Sequence, residues 1–457
     1  MYRNLLINIG VSVAFVLVAQ YEVIGQQLDP ELAQLIAKGL DKSHGIKING
    51  FEAEQAKVDQ RLAKSTFLPK VTINGSYTRL NDDITFDSDT RNLLVATQRL
   101  LIKEATGIPF NAEFPNDVPL TEITNLQDKN ILRSSVDLDW VLFSGFEASN
   151  AFKASRHKEA SFNYLGMAEK DKLALKIIET YDKLALVYAS EEVLNTSKNY
   201  LNEQEYYVKK SIQNGLATPI GRKKIELAQQ QLKTKQLEYN QNKILLIEVL
   251  HQLTNENRER LRLIEPQLRP FVNDSLSTIQ KRNEVKALEE AEKATLYKAK
   301  MEKNSFVPKL ALKGHYEFIE DDLSLLDPIW FVGMGLKWNI FDGNQSYLNS
   351  KKSVIEGRKY REQIEDAQEM ISLGITKAEL GYNSSLQKIN MVQKEIELAK
   401  DTYKMVNKQY KNDLASITDM LEALNDLEKS NFKLQESFFD QRRAFIELLY
   451  AKGSLNY

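Results

Sequence analysis

Side chains that do chemistry are sparse in this chain. It has no cysteine and four histidines, His44, His157, His251 and His315. That excludes disulfides, thiolate metal sites, a cysteine nucleophile and a lipidated N-terminal cysteine, and leaves no histidine pair at metal-ligand spacing. No nucleophile–base grouping and no phosphate-cradling glycine loop is found. Carboxylates remain. Asp82-Asp83 and Asp321-Asp322 each follow an alternating segment, where they suit either calcium at a rim or ordinary solvated turns. Asp419, three residues after Ser416, completes a capping-box pattern with Asp in the acidic position. Other carboxylate pairs lie on charged helix faces, where solvation explains them. The expectation is a non-enzyme with no cofactor.

The elements that position these groups follow from the composition. At roughly 150 residues per domain, 457 residues make about three domains' worth of chain. Sixty-one basic residues nearly balance sixty-three acidic ones, for a net charge of -2, so no nucleic-acid partner is expected. A hydrophobic share of 42% argues against wholesale disorder, and only ten prolines and nineteen glycines favour long uninterrupted elements. Arg3, the apolar run Leu5 to Ala19 and the polar Gln20 and Glu22 read as a signal peptide over residues 1–25. No later stretch reaches the ~20 apolar residues of a spanning helix, so any membrane contact must come from strands or an amphipathic surface.

The chain is written twice. Phe67-Leu68-Pro69-Lys70 recurs as Phe306-Val307-Pro308-Lys309, an offset of 308 − 69 = 239, followed in step by Gly75 and Tyr77 against Gly314 and Tyr316. Leu138, Trp140, Phe143 and Gly145 recur as Leu336, Trp338, Phe341 and Gly343, an offset of 338 − 140 = 198. Asn214, Leu216 and Ala217 recur as Asn412, Leu414 and Ala415 at the same offset of 198. The first half thus carries 239 − 198 = 41 extra residues, between Asn81 and Ile131. They predict an outward loop, either shielding a mouth or merely tolerated.

After each tryptophan block the pattern is helical. Leu173, Ile177, Thr180, Leu184, Val187, Glu191, Leu194, Lys198, Leu201, Glu205, Val208 and Ile212 step by fours and threes, and their equivalents run from Ile371 to Tyr410. A 3.5-residue repeat of this length predicts coiled-coil packing, with helices of about 100 Å. Thr218-Pro219 and Ser416 start two returning helices, about Pro219–Thr254 and Ile417–Lys452; Leu424, Leu427, Leu434, Phe438, Phe445 and Leu448 mark a seam of the second. Two further helices are expected at about Pro30–Ser65 and Ser277–Asn304.

Four segments alternate with period two. Val71, Ile73, Gly75 and Tyr77 share one face; so do Val136, Leu138, Trp140 and Leu142; Leu310, Leu312, Gly314, Tyr316 and Phe318; and Val332, Met334, Leu336, Trp338 and Ile340. Each run is about as long as a tilted membrane-crossing strand, and an apolar face opposite a polar one fits lipid outside and water inside. A soluble half-buried sheet gives the same alternation. Four strands cannot close a barrel, and an open edge in lipid costs several kcal/mol per unpaired group. A membrane-spanning chain must therefore oligomerise: two copies give eight strands with a filled interior, three give twelve with a lumen.

The duplicated strand–helix layout and the tryptophan block resemble the TolC family of outer-membrane efflux proteins, over nearly the whole mature chain. The resemblance implies a mainly α fold with a membrane β-barrel: a homotrimer with twelve strands, a long periplasmic coiled-coil helical tunnel and four strands per protomer. The chain then divides into a signal peptide (1–25), an N-terminal helix (26–66), barrel hairpin 1 with its long extracellular loop (67–144), tunnel helix pair 1 (145–255), an equatorial segment and helix (256–305), barrel hairpin 2 (306–342), and tunnel helix pair 2 with the C-terminus (343–457). It implies an exit duct of a tripartite efflux or type I secretion system, in the cell outer membrane with a periplasmic domain. Partners would be a membrane-fusion adaptor, an inner-membrane pump and outer-membrane lipid. Tyr77, Trp140, Tyr316 and Trp338 would face the membrane. Gly215-Leu216 and Asp413-Leu414 match the tip element that meets the adaptor. Asp419 and Glu422 match a lumen constriction, where three chains would supply six carboxylates and favour cations; for Asp419 a helix cap is the plainer role. Tyr410 matches a latch tyrosine, but Ala415 and Gly221 stand where the latch has arginine and aspartate. A secreted soluble coiled-coil structural or adaptor protein with a small sheet is the alternative.

Overall fold

A computed structural model describes residues 29–215, 218–271, 278–319, 329–455 and 457. The expected leader, Leu216, Ala217 and the Asp321-Asp322 pair lie outside the described residues. Within them the helices are α1 Pro30–Lys42, α2 His44–Ser65, α3 Ser88–Thr106, α4 Glu147–Gln213, α5 Pro219–Thr254, α6 Arg258–Leu263, α7 Asn283–Lys303, α8 Gln345–Lys411 and α9 Ile417–Ala451. The strands are β1 Lys70–Arg79, β2 Asn130–Phe143, β3 Lys309–Ile319 and β4 Trp330–Lys337. No described helix is long and apolar enough to cross a membrane. Contacts divide the chain into two compact units.

One unit, Gly50–Asn163 with Ala287–Glu365, holds the sheet. Its four strands are antiparallel in the order β1-β2-β3-β4. The duplication fixes the register: Lys70 pairs with Asp139 and its repeat partner Lys309 with Lys337. Each proline block is tied to its tryptophan block, because Trp140 Nε1 donates to the Phe67 carbonyl at 2.9 Å and Trp338 Nε1 to the Phe306 carbonyl at 3.0 Å. Helices of this unit join through polar side chains. His157 Nδ1 lies 2.6 Å from Glu290 Oε2, the Ser161 hydroxyl donates to the Ala287 carbonyl, and Arg361 pairs with Glu292 at 2.8 Å.

The other unit gathers α1, α5, α6 and α9 with α4 from Tyr164 onward and α8 from Asp366 onward. The predicted seam of α4 is its core: Ile177, Thr180, Leu184, Val187, Leu194, Leu201 and Val208 are buried. Glu191 and Lys198 of that series are exposed, and Ser190, Ser197 and Gln204 are buried in their stead, because a straight helix drifts relative to a strict seven-residue repeat. Leu32, Leu35 and Ile36 of α1 pack with Ile177, Ile247, Leu250 and Phe445. On α8 the corresponding residues Ser385, Ile389, Val392 and Tyr403 are buried, while a second series, Met370, Leu373, Leu380, Met391, Leu398 and Met405, is exposed.

Three expectations need correction. The Pro30–Ser65 helix is interrupted at Ser43, whose backbone leaves the helical region and whose hydroxyl accepts from the Ile46 amide; a serine bonded to its own neighbours competes with the helix. The Ser277–Asn304 helix begins at Asn283. The long insertion contains α3, capped by Asp87 and ended by Gly107 at φ 72. None of its residues is buried, so its apolar side chains form no stripe that periodicity would detect. Asp82 and Asp83 lie in the adjoining turn, where Asp83 accepts from the Lys129 amide at 2.8 Å and from Asn125 at 3.0 Å.

Arg442 and Asp182 form a buried ion pair in the helical unit. Arg442 donates to Asp182 Oδ1 at 2.7 Å and to the Arg269 carbonyl at 2.9 Å, with its guanidinium 4.0 Å from the centre of the Phe271 ring. Burial pushes the Asp182 carboxyl upward, opposed by Arg442. Removing one partner of such a pair strands the other charge. Asp182→Ala should therefore cost about 3–5 kcal/mol, read as an early loss of helical circular dichroism on heating. Asp182→Leu with Arg442→Met should restore most of that loss.

Candidate functional site

Two surfaces carry the candidate residues. The first is the sheet. Register places Val71, Ile73, Tyr77, Val136, Leu138, Trp140, Leu310, Leu312, Tyr316, Trp330, Val332, Met334 and Leu336 on one face. Tyr77, Trp140, Tyr316 and Trp338 are all exposed, as are Ile73 and Met334, each at 71%. A contiguous apolar face of that size marks an interaction surface. Trp338 and Ile340, expected within the fourth strand, lie beyond the end of β4 at Lys337.

The opposite face pairs its own charges. Arg133 grips Glu317 through two bonds of 2.8 and 3.1 Å. His315 Nδ1 lies 2.7 Å from Asp137 Oδ1, and its ring stacks on Phe331. Lys313 stands 3.8 Å from Asp139. Each of these three contacts joins a basic to an acidic side chain across strands, as on a water-facing surface.

The second surface is where the paired helices meet, at Asn214, Gly215 and Thr218 and at residues 412–416. Gly215 (φ 75) and Asp413 (φ 60) occupy the left-handed region. They are repeat equivalents, so Asp413 performs the backbone task of a glycine, which aspartate can do at modest cost. Leu414 is 78% exposed beside it. Just below, Tyr410 meets Tyr207 edge-on at 5.8 Å, the Tyr207 hydroxyl donates to the Lys411 carbonyl at 3.0 Å, and Lys411 reaches Glu203. Burial raises the Tyr410 hydroxyl above its ordinary range.

Asp419 is the acidic member of a complete capping box: Ser416 N donates to Asp419 Oδ2 at 2.9 Å, and Asp419 N donates to the Ser416 hydroxyl at 3.2 Å. The Ser416 amide holds the carboxyl below its ordinary 3.8, with Lys224 adding to the effect. Glu422 is exposed one turn further on. Gly221 and Ala415 supply no charge; Gly221 is buried against Val208. The charge across this gap is Lys224, one turn into α5, whose ammonium donates to Thr418 and borders a groove shared with Lys235, Leu421 and Glu422. Sequence reasoning passed over Lys224, although the repeat signals it: 422 − 224 = 198 makes Lys224 the equivalent of Glu422, with the opposite sign.

No model of a protein family and no curated protein matches the chain. Solved structures do. The outer membrane protein VceC of Vibrio cholerae superposes with a TM-score of 0.72 at 14% identity, covering 93% of this chain and 96% of that one. The CmeC outer membrane channel of Campylobacter jejuni gives 0.72 at 16%, covering 93% and 86%. The open-state MtrE outer membrane channel of Neisseria gonorrhoeae gives 0.64 at 13%, covering 93% and 89%. The chain has the fold of an outer-membrane channel. The likeness reaches both the sheet and the long helices, since so little of the chain lies outside it.

The cap sets a pH dependence at the start of α9. A carboxyl whose folded value is lowered contributes stability above its ordinary 3.8, which is lost as pH falls through the folded value. Protection factors of amides at the start of α9, measured against the intrinsic rate at each pH, should therefore fall below pH ~4 relative to pH 6. Ser416→Ala should speed exchange of the Asp419 and Met420 amides roughly fivefold at pH 7. Unchanged protection in that variant would show that the cap does not hold the turn.

Proposed function

We propose that the chain is an outer-membrane exit duct of a tripartite efflux or type I secretion system. It exports passively across periplasm and outer membrane, is gated at its periplasmic tip, and catalyses no reaction. The observation that carries this reading is the sheet: four strands with an exposed apolar face and, among the described residues, no strand paired with the outer edge of β1 or β4. The strands have 10, 14, 11 and 8 residues, close to the length a tilted strand needs to cross a bilayer. Three copies give twelve strands and a lumen lined by the polar face. Tyr77, Trp140, Tyr316 and Trp338 then meet outer-membrane lipid. The apolar series left exposed on α8 supports the same homotrimer, since a coiled-coil seam needs a facing helix. A soluble adaptor with a small sheet is disfavoured, because it would leave this apolar face in water.

At the tip, the two turns with Gly215, Leu216, Asp413 and Leu414 are the proposed contacts for a periplasmic membrane-fusion adaptor, which joins the duct to an inner-membrane pump. Asp419 and Glu422, repeated threefold, form the proposed cation-attracting constriction, with Tyr410 and Lys224 bracing it.

The duct reading is tested by fractionating cells and weighing the detergent-solubilised protein. An outer-membrane trimer that conducts ions in planar bilayers is expected; a water-soluble monomer or dimer would sink the proposal. For the constriction, Asp419→Ala with Glu422→Ala should weaken block of single-channel current by multivalent cations, by roughly tenfold or more if several carboxylates act together. Lys224→Met should leave that block intact and raise the open fraction. Equal block in the parent and the double variant would remove the carboxylates from the gate.

A further inference from the structure

The internal duplication specifies how one copy meets the next. Inside the chain, the end of the first repeat pairs with the start of the second through β2 and β3, with Asp139 opposite Lys313, Leu138 opposite Gly314 and Trp140 opposite Leu312. By the same offsets, β4 is the second copy of β2, and β1 the first copy of β3. We infer that β4 pairs with β1 of the neighbouring copy in the register that β2 and β3 already display: Lys337 opposite Asn74, Leu336 opposite Gly75, Gly335 opposite Ser76, Met334 opposite Tyr77, and Trp338 opposite Ile73.

Three features of the isolated chain mark that missing neighbour. β2 runs on to Phe143, and its last residues are held by β3 alone, through Trp140 with Leu312 and Phe143 with Leu310. The equivalents of those residues, 338–341, belong to no strand, and exposure rises from 41% at Leu142 to 77% at Ile340. Second, both repeats turn from strand to helix through two left-handed residues, Gly145 and Phe146 at φ 64 and 66, and Gly343 and Asn344 at φ 67 and 66. A Cβ on Gly145 would stand 3.0 Å from the Val307 carbonyl, whereas one on Gly343 would meet nothing within 4 Å. The repeat equivalent of Val307 is Leu68, so the space over Gly343 fits the Leu68 carbonyl of the next copy. Third, β1 is exposed at every position, although its repeat partner β3 is covered on both edges.

The register also keeps the faces in phase. Trp338, Leu336 and Met334 stand opposite Ile73, Gly75 and Tyr77, apolar against apolar, and Lys337 and Gly335 opposite Asn74 and Ser76. A slip of one residue would set apolar side chains on the polar face; a slip of two would keep the faces but misplace Gly343. The ion pair of Lys309 with Glu147 at 2.6 Å becomes, between copies, a hydrogen bond from Lys70 to Gln345.

This inference rests on the duct reading and is tested separately from it. The chain has no cysteine, so only introduced thiols react. Opposed residues of antiparallel strands have Cα atoms about 4.5–5.5 Å apart, within disulfide reach. Asn74→Cys with Lys337→Cys in one chain, oxidised in cell envelopes, should yield covalent oligomers. Linking should be about tenfold faster than for Lys337→Cys with Thr72→Cys or Ser76→Cys, whose diagonal separations are longer. Each single variant should migrate as the parent oligomer, which checks folding. Faster linking of either shifted pair overturns the register, as does an absence of links in a protein that still migrates as an oligomer; in both cases the duct stands. A monomer in detergent without links in any pair removes both.

Discussion

An edge strand carries a row of unpaired N–H and C=O groups, and the surrounding solvent decides what that costs. In water the row is hydrated; in hydrocarbon each unpaired group costs several kcal/mol. Most of this structure follows from that constraint. The sheet has two edges and one apolar face, so the face calls for lipid while the edges forbid it, unless another strand closes them. A second copy of the same chain resolves the conflict, because its first strand is already shaped like the third. Duplication is thus more than a record of ancestry: it makes the two edges complementary.

The same constraint explains the division of labour between the two faces. Lipid offers no hydrogen bonds, so the outer face carries aliphatic and aromatic side chains, and Trp140 and Trp338 spend their N–H groups on the carbonyls of Phe67 and Phe306. Those carbonyls sit where a helix ends and a strand begins, with no ladder partner of their own. Each tryptophan therefore satisfies its own polar atom and an orphaned backbone group at once. That accounts for the recurrence of tryptophan and phenylalanine in both halves at different offsets: the offsets differ by the length of the insertion, and the contact is unchanged.

Much of this was legible because the relevant signals are periodic. The alternation of Val71 to Tyr77 and its three counterparts located the strands, and the steps of three and four located the α4 core at Ile177, Leu184, Leu194 and Leu201. Thr218-Pro219 and Ser416 with Asp419 marked the starts of α5 and α9. What escaped has no period. The break at Ser43 depends on one hydroxyl, α3 buries nothing, and the strand end at Lys337 depends on a partner absent from a single chain. Lys224 escaped for another reason. Its side chain matters across two helices, through a hydrogen bond to Thr418 and its charge near Asp419, and only superposing the repeats draws attention to it.

That superposition bears on how the tip is built. At three levels the repeats place unlike residues in like positions: Gly215 against Asp413, Gly221 against Asp419, and Lys224 against Glu422. The backbone is shared, as the left-handed angles of Gly215 and Asp413 indicate, but the charge is not. One turn is basic where the other is acidic, so the two are held by mutual attraction and not by a repeated contact. Identical repeats would confront carboxylate with carboxylate, which is unfavourable even at an exposed site. Divergence in sign lets α5 neutralise part of the field of α9 within one chain. In a trimer, the remaining carboxylates would face one another across the axis, where their repulsion works against closure and the bonds of Lys224 and Tyr207 work for it.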